Sequence, residues 1–413
     1  MARNRGKRFI EDEMDQDGSL QEGNPHARRR RKKSRMFRIP RWVYRVIVIL
    51  ILSVLALLIW FNRENLTPQN IVEWVQTQVV GMGVGDGYPA KIAGSTVSPG
   101  NFASVNKDAV YVSDTRLMVL NSTAKELVSR QHSYSSPVMR TAGTRVLIYN
   151  LGGTGYQIES HSKTDAVKSA KNNILAGDIA SNGKYALVTE EKGYCSMLAV
   201  YMADHTEQYR FEFADYYVTD ISLNRDGTKA AVTGISAKDG AMASAVYLFD
   251  FSQPKETAKF TYEECLMLGV EYSGDGSVLA VGDSLASVIK PGGKEKVDYS
   301  YGSQRLTDYA ADNGCLALAL TPYANSDSGT LVLLDNTGKE LHSIKCSAKI
   351  DSVSLFGDTA AVLTGGTVQG YSVTTGLGTG SCGAGNDAKA AALHDESSAY
   401  LLGVNEVRLV ELK

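Results

Sequence analysis

From about residue 100 onward, short apolar runs alternate with turns rich in Gly, Asn and Asp, and no long helical period appears. The recurring unit is an approach strand, a tight turn and an apolar strand. It reads SVNKDAVYV, MRTAGTRVLIY, IASNGKYALVT, SLNRDGTKAAVTG, EYSGDGSVLAVG, YAADNGCLALA, SLFGDTAAVL and ALHDESSAYLLG. The turns begin near Asn106, Ala142, Asn182, Asp226, Asp275, Asn313, Gly357 and Asp395, with a mean spacing of about 41 residues. Asn-Gly and Asp-Gly supply the positive φ that a two-residue hairpin needs. A second apolar strand follows most hairpins, at 117–120, 197–201, 245–250, 330–335 and 407–412.

A period of about 40–45 residues with four strands is one propeller blade. A single blade cannot bury both faces, so blades must stack radially and close into a ring. The pattern predicts a mainly β protein, an eight-bladed β-propeller over 88–413, with seven blades as the alternative. The eighth unit stops at Lys413 after its third strand. Residues 88–95 (YPAKIAGS) are the candidate fourth strand, which would fasten the last blade to the first and cover an open edge.

The first hundred residues follow another pattern. Val46–Phe61 is an uncharged apolar run, and with Trp42, Val43 and Tyr44 it extends over 42–61, interrupted by Arg45. About 20 apolar residues suffice for a membrane-spanning helix. Arg45 can snorkel to the headgroups, and Trp42, Tyr44 and Trp60 stand where an aromatic belt would. No small-residue cleavage site follows, so the span reads as an uncleaved single-pass anchor. After it, Thr67-Pro68 starts a short amphipathic helix near 68–80 with Ile71, Val72, Val75 and Val79 on one face. The Gly-rich stretch Gly81–Gly87 (GMGVGDG) lacks the Lys-Ser/Thr of a phosphate loop and reads as a hinge completing a juxtamembrane segment over 62–87.

Charge is divided along the chain. The net charge is -2, yet the first 45 residues hold 14 Lys and Arg against 6 Asp and Glu, leaving 29 against 39 in the rest. The run Arg28, Arg29, Arg30, Arg31, Lys32 and Lys33 precedes the span, whereas only Arg63 follows it closely. By the positive-inside rule the tail 1–41, disordered by composition, is cytoplasmic and 62–413 extracellular, at the cell envelope. Beside a membrane, the basic run is a site for anionic lipid headgroups rather than for nucleic acid.

The phrases NRDGTKAAV and SGDGSVLAV resemble WD40-like and TolB-type propeller repeats. Through LTPQNIVEWVQ, GMGVGDGYP and Asn101-Phe102, the whole chain after its tail resembles an uncharacterised family of single-pass membrane proteins of Clostridia and related Firmicutes, whose ectodomain is a WD40-like, TolB- or quinoprotein-like β-propeller. The resemblance implies a propeller at the envelope and transfers no catalytic residues.

The search for chemistry is largely negative. There is no GxSxG elbow, HExxH pair or EF-hand loop, and the six histidines are scattered. Cys195, Cys265, Cys315, Cys346 and Cys382 are odd in number, widely spaced and without CxxC, which suits buried thiols rather than a disulfide or zinc framework. Asp335-Asn336-Thr337-Gly338-Lys339 resembles a quinoprotein turn, but Trp42, Trp60 and Trp74 are the only tryptophans and none can dock blades. No cofactor and no metal ligand set is expected. One constellation remains: Asp178, Asp220, Glu271, Asp308 and Asp351 recur where inner strands begin. They would either ring a channel rim, attracting a cation or a basic peptide, or bond to their own turns. The longest loops of that rim are 235–244 and 323–328. The leading expectation is a membrane-anchored binding or scaffold module for a protein, peptide or glycan. A metal-dependent envelope enzyme on the acidic rim is the alternative, and a transmembrane sensor the next.

Overall fold

The computed structural model describes residues 46–54 and 83–413, apart from 239, 313, 324 and 325. The anchor residues Trp42, Tyr44, Arg45 and Trp60, the basic run 28–33 and the segment expected as an amphipathic helix near 68–80 lie outside the described residues. Contacts divide the chain into two units. In the first, residues 46–54 are helical, and Val46 to Leu52 and Val54 are exposed wherever they are large and apolar. No described helix is long and apolar enough to cross a membrane.

In the second unit the described residues form eight four-stranded antiparallel sheets, the blades of a β-propeller. The first strands of neighbouring sheets pack against one another at seven of the eight seams, and together these strands wall the central channel. In chain order they are β2 (Val97–Val105), β6 (Pro137–Ala142), β10 (Ile174–Ile179), β14 (Tyr217–Leu223), β18 (Met267–Tyr272), β22 (Arg305–Asp312), β26 (Ile350–Phe356) and β30 (Ala390–Asp395). Blades one to eight are counted from β2. The second and third strands are buried on both faces and therefore read as continuous apolar runs, such as Leu316–Leu320 and Ala360–Leu363. Each seam between blades has its own apolar cluster; Ala186, Leu198, Ile221, Val232 and Phe249, for example, fill the seam between blades three and four.

One face of the ring carries the turns after first and third strands; we call it the turn face. The opposite rim face carries the turns after second strands and the connections between blades. The turns are less uniform than a two-residue hairpin predicts. Asn106 and Lys107 form one, both with positive φ. In blade five, however, the Gly276 amide bonds the Ser273 carbonyl at 3.0 Å, and Gly276 at φ 87 ends a three-residue loop.

The eighth sheet runs β30, β31 (Ser398–Leu402), β32 (Glu406–Glu411) and then β1 (Ala90–Lys91), so the start of the propeller supplies the outer strand of its last blade. Ala90 pairs with Val407 and Lys91 with Glu406. The Ile92 amide donates to the Asn405 carbonyl at 2.9 Å. Tyr88, Ala90, Ile92 and Ala93 pack on the Tyr111–Tyr400–Val407 cluster. Just before this strand, the Gly85 amide donates to Thr123 Oγ1 at 2.9 Å and the Gly87 amide to the Thr123 carbonyl at 3.0 Å. Residues 83–87 thus lie against a turn of blade one, on the turn face, and a Cβ at Gly85 would run into the backbone of 123–125.

Candidate functional site

The channel wall owes its chemistry to a recurring irregularity. In β10, β14, β18, β22 and β26 the register against the second strand slips at Leu175, Thr219, Leu268, Thr307 and Asp351. A bulge redirects the side chains around it. Here those that follow reach the neighbouring blade. Asp220 Oδ2 accepts the Val270 amide at 3.1 Å, Asp308 Oδ2 the Val353 amide at 2.8 Å, and Ser352 Oγ the Ala391 amide at 3.3 Å. Two residues further along, Asp178 Oδ2 accepts the Leu223 amide at 2.6 Å, Ser222 Oγ the Tyr272 amide and Ser354 Oγ the Leu393 amide, each at 2.9 Å. The bulged threonines complete the clasp: Thr219 and Thr307 donate to the carbonyls of Met267 and Ile350 at 3.2 and 3.0 Å. A Thr-Asp dipeptide in blades four and six therefore grips the next blade by a carbonyl and an amide together.

Of the five acidic positions singled out in the sequence, Asp178, Asp220 and Asp308 bond the next blade rather than their own turns. Asp178 and Glu271 stand near the turn face, Asp220 and Asp308 deeper in the wall, and Asp351 is the exposed bulge residue of β26. Arg140 of β6, which sequence reasoning did not single out, joins three of them. Its Nη2 pairs with Asp220 across the channel and its Nε lies 3.4 Å from the Gly177 carbonyl.

The seam between blades five and six departs from the pattern. The residue after the bulge is Gly269, whose missing side chain makes room for the Tyr309 hydroxyl; a Cβ there would overlap it. Glu271 occupies the position equivalent to Asp178 and Ser222, but among the described residues its carboxylate takes no hydrogen bond. It faces the channel, reached by solvent yet enclosed by the wall.

Two cavities open from this centre. One, of about 610 Å³, lies toward the turn face and is lined by Arg140, Asp178, Ser222, Arg225 and Glu271. The other, of about 530 Å³, lies toward the rim face and includes Asn101, Ser136 and Arg140. Arg140 borders both and so stands at the waist of the channel. Of the two guanidiniums, Arg140 is the one that acts on the three carboxyls Asp178, Asp220 and Glu271, and their protonation reflects it. Burial pushes Glu271 up to about 8, with Asp178 and Asp220 adding to the rise and Arg140 opposing it. Burial likewise raises Asp178 to about 6 against the pull of the Leu223 amide and Arg140. Asp220 is also raised by burial despite Arg140 beside it.

Mostly protonated at neutral pH, Glu271 can donate a hydrogen bond into the channel, and it can hold a positively charged group once it ionises toward pH 8. The site offers no base paired with a nucleophile, and among the described residues no three His, Cys, Asp or Glu side chains gather as a metal site would. The five cysteines are unpaired, Cys265 and Cys346 fully buried. The signal that could have revealed the clasps was the Thr-Asp repeat at 219–220 and 307–308. Nothing local marks Arg140 or Tyr309.

Known proteins resemble the chain in fold. The C-terminal WD40 domain of Sif2 superposes with a TM-score of 0.57 at 13% identity, covering 79% of this chain and 97% of that one. The computationally designed Ika8 protein gives 0.56 at 13% identity over 79% and 98%. Sqt1 of Saccharomyces cerevisiae gives 0.52 at 10% identity over 78% and 100%. No curated protein matches by sequence. A protein-family model, that of the family of unknown function DUF5711, matches residues 88–379, and with that match spanning most of its length the chain belongs to this family of β-propellers.

Proposed function

We propose that the chain is a membrane-anchored binding module whose propeller holds a protein, peptide or glycan outside the cell. The observation that carries this reading is the way the channel spends its polar groups. Asp178, Asp220 and Asp308 are committed to the backbone of neighbouring blades, which stiffens the ring, while Glu271 stays uncommitted in a ligand-sized mouth beside Arg140. A rigid scaffold with an open charged mouth suits recognition better than catalysis. The exposed aliphatic side chains of the helix at 46–54 are those a bilayer would cover. The basic run 28–33 before it favours a cytoplasmic N-terminus beside anionic headgroups.

Two measurements test the proposal. Alkaline phosphatase fused after Lys413 should be active in intact cells; activity confined to lysed cells overturns the topology. Cross-linkers placed at the channel mouth and on the rim face of the full chain should each be assayed in intact cells. A defined extracytoplasmic adduct from at least one face is expected, and none from either face overturns the binding role.

A further inference from the structure

On the rim face, blades three to five carry a connected surface in which large apolar side chains stand among carboxylates. Tyr194, Tyr217, Met242 and Leu268 are 43%, 59%, 47% and 50% exposed. Hydrogen bonds join the segments that bear them. Cys195 and Ser196 of blade three bond the carbonyls of Ala214 and Tyr216, which lead into Tyr217. Tyr217 pairs with Ile235 at the base of the hairpin formed by β15 (Lys229–Lys238) and β16 (Ala241–Asp250). The Met242 carbonyl accepts the Glu264 amide at 3.2 Å, and Ser244 Oγ donates to the Cys265 carbonyl at 2.6 Å, three residues before Leu268. The β15–β16 ladder continues out to Lys238 and Ala241, so its tip stands on the order of 10 Å above shorter neighbours. Elsewhere on this face Leu151, Tyr323 and Val404 sit singly in separate blades.

Carboxylates outnumber ammonium groups around this surface, where Lys192 precedes Tyr194 and Lys238 ends β15. Glu212, Asp215, Glu263 and Glu264 are exposed and form no ion pair among the described residues. The same corner already receives an ammonium group: Lys259 Nζ lies 4.5 Å from the centre of the Tyr216 ring and 4.9 Å from that of Tyr247. Tyrosine and methionine beside unpaired carboxylates match a partner that brings both cations and apolar bulk. An anionic bilayer would be repelled by these carboxylates. A second copy would present a body with 39 acidic against 29 basic residues, also a poor complement.

We infer that the rim face of blades three to five, centred on the β15–β16 hairpin, docks a protein partner through a basic, apolar segment of that partner. The inference rests on the binding-module reading and specifies where and what it binds. The test uses the full chain in phosphatidylcholine nanodiscs and three fluorescent peptides: one built of Leu and Lys on an amphipathic pattern, its counterpart with Glu for Lys, and a Lys-Ser peptide without apolar residues. The Leu-Lys peptide should bind, and more weakly as salt rises. Tyr217→Ser with Met242→Ser, and separately Glu263→Lys with Glu264→Lys, should each weaken it about tenfold or more at unchanged melting temperature. The other two peptides should bind far less. Equal binding of the Glu peptide, or full binding by both double variants, overturns the inference. If Glu271→Gln weakens binding while the rim variants do not, the segment enters the channel; the binding module stands and this surface falls. Rim-dependent binding to phosphatidylcholine vesicles, or rim-dependent self-association in sedimentation, assigns the surface to lipid or to a second copy and also overturns it.

Discussion

Single positions explain the firmness of the turns. Asn121 Oδ1 accepts the Thr123 amide and hydroxyl at 2.9 and 2.8 Å. The same Asx-x-Ser/Thr device recurs at Asp204, Asp250, Asp275, Asp335 and Asp395. It was visible as a repeat in the sequence, where it passed for generic turn chemistry. At Asp275, burial pushes the carboxyl up, but bonds from Ser277 and from Asn336 of the next blade outweigh it and hold the group near about 2. That stability exists above the ordinary carboxylate range, about pH 4, and is lost as pH falls toward 2. Asp275→Ala should cost about 1 kcal/mol at pH 7, the value of a solvated hydrogen-bonded turn, and the difference from wild type should shrink in urea titrations below pH 3. The clasps are worth more. Asp220→Ala strands both the Val270 amide and Arg140 and should cost about 3 kcal/mol, whereas Asp351→Ala should stay within about 0.5 kcal/mol. Equal losses in denaturant melts would remove the distinction between clasp and bulge.

Among the strands, periodicity alone was enough to count the blades, because both-face burial of second and third strands leaves apolar runs at a steady interval. The closing strand was inferred from what the eighth unit lacked. How little of it pairs was not readable: β1 has two residues, and its hold comes from the side chains of Tyr88 and Ile92 inside the cluster of blades one and eight. The bulges of the inner strands were equally hidden, since they answer to the neighbouring blade and not to their own sequence. Removing residues 83–92 should expose the β32 edge and the Tyr111–Tyr400 cluster. The expected result is a lower urea midpoint with light scattering that grows with concentration; an unchanged midpoint would mean that closure contributes nothing.

The ring as a whole is built of eight separate sheets, and its channel chemistry exists only because distant blades meet. Arg140 and Asp220 are 80 residues apart, and Glu271 is another blade away, so no local pattern could have grouped them. Their juxtaposition gives a pH test. Glu271 sits at about 8 against an ordinary value of about 4.3, so its cost to stability is absent below the lower figure and complete above the upper. Glu271→Gln should leave the melting temperature unchanged at pH 4 and raise it at pH 8.5. A uniform effect at both would show that its charge does not matter.

Of the five seams that follow a bulged inner strand, one is made differently. Between blades five and six, among the described residues, neither Gly269 nor Glu271 of blade five bonds the amides of Tyr309 and Ala311 as the preceding blades bond Val270 and Val353, although Asp275 and Asn336 still tie that seam at the turn face. Among these five seams, breathing of the inner wall should start there. In native-state deuterium exchange, Tyr309 and Ala311 should take up label ahead of Val270 and Val353, and the annulus would then widen from a fixed point like a bracelet from its clasp.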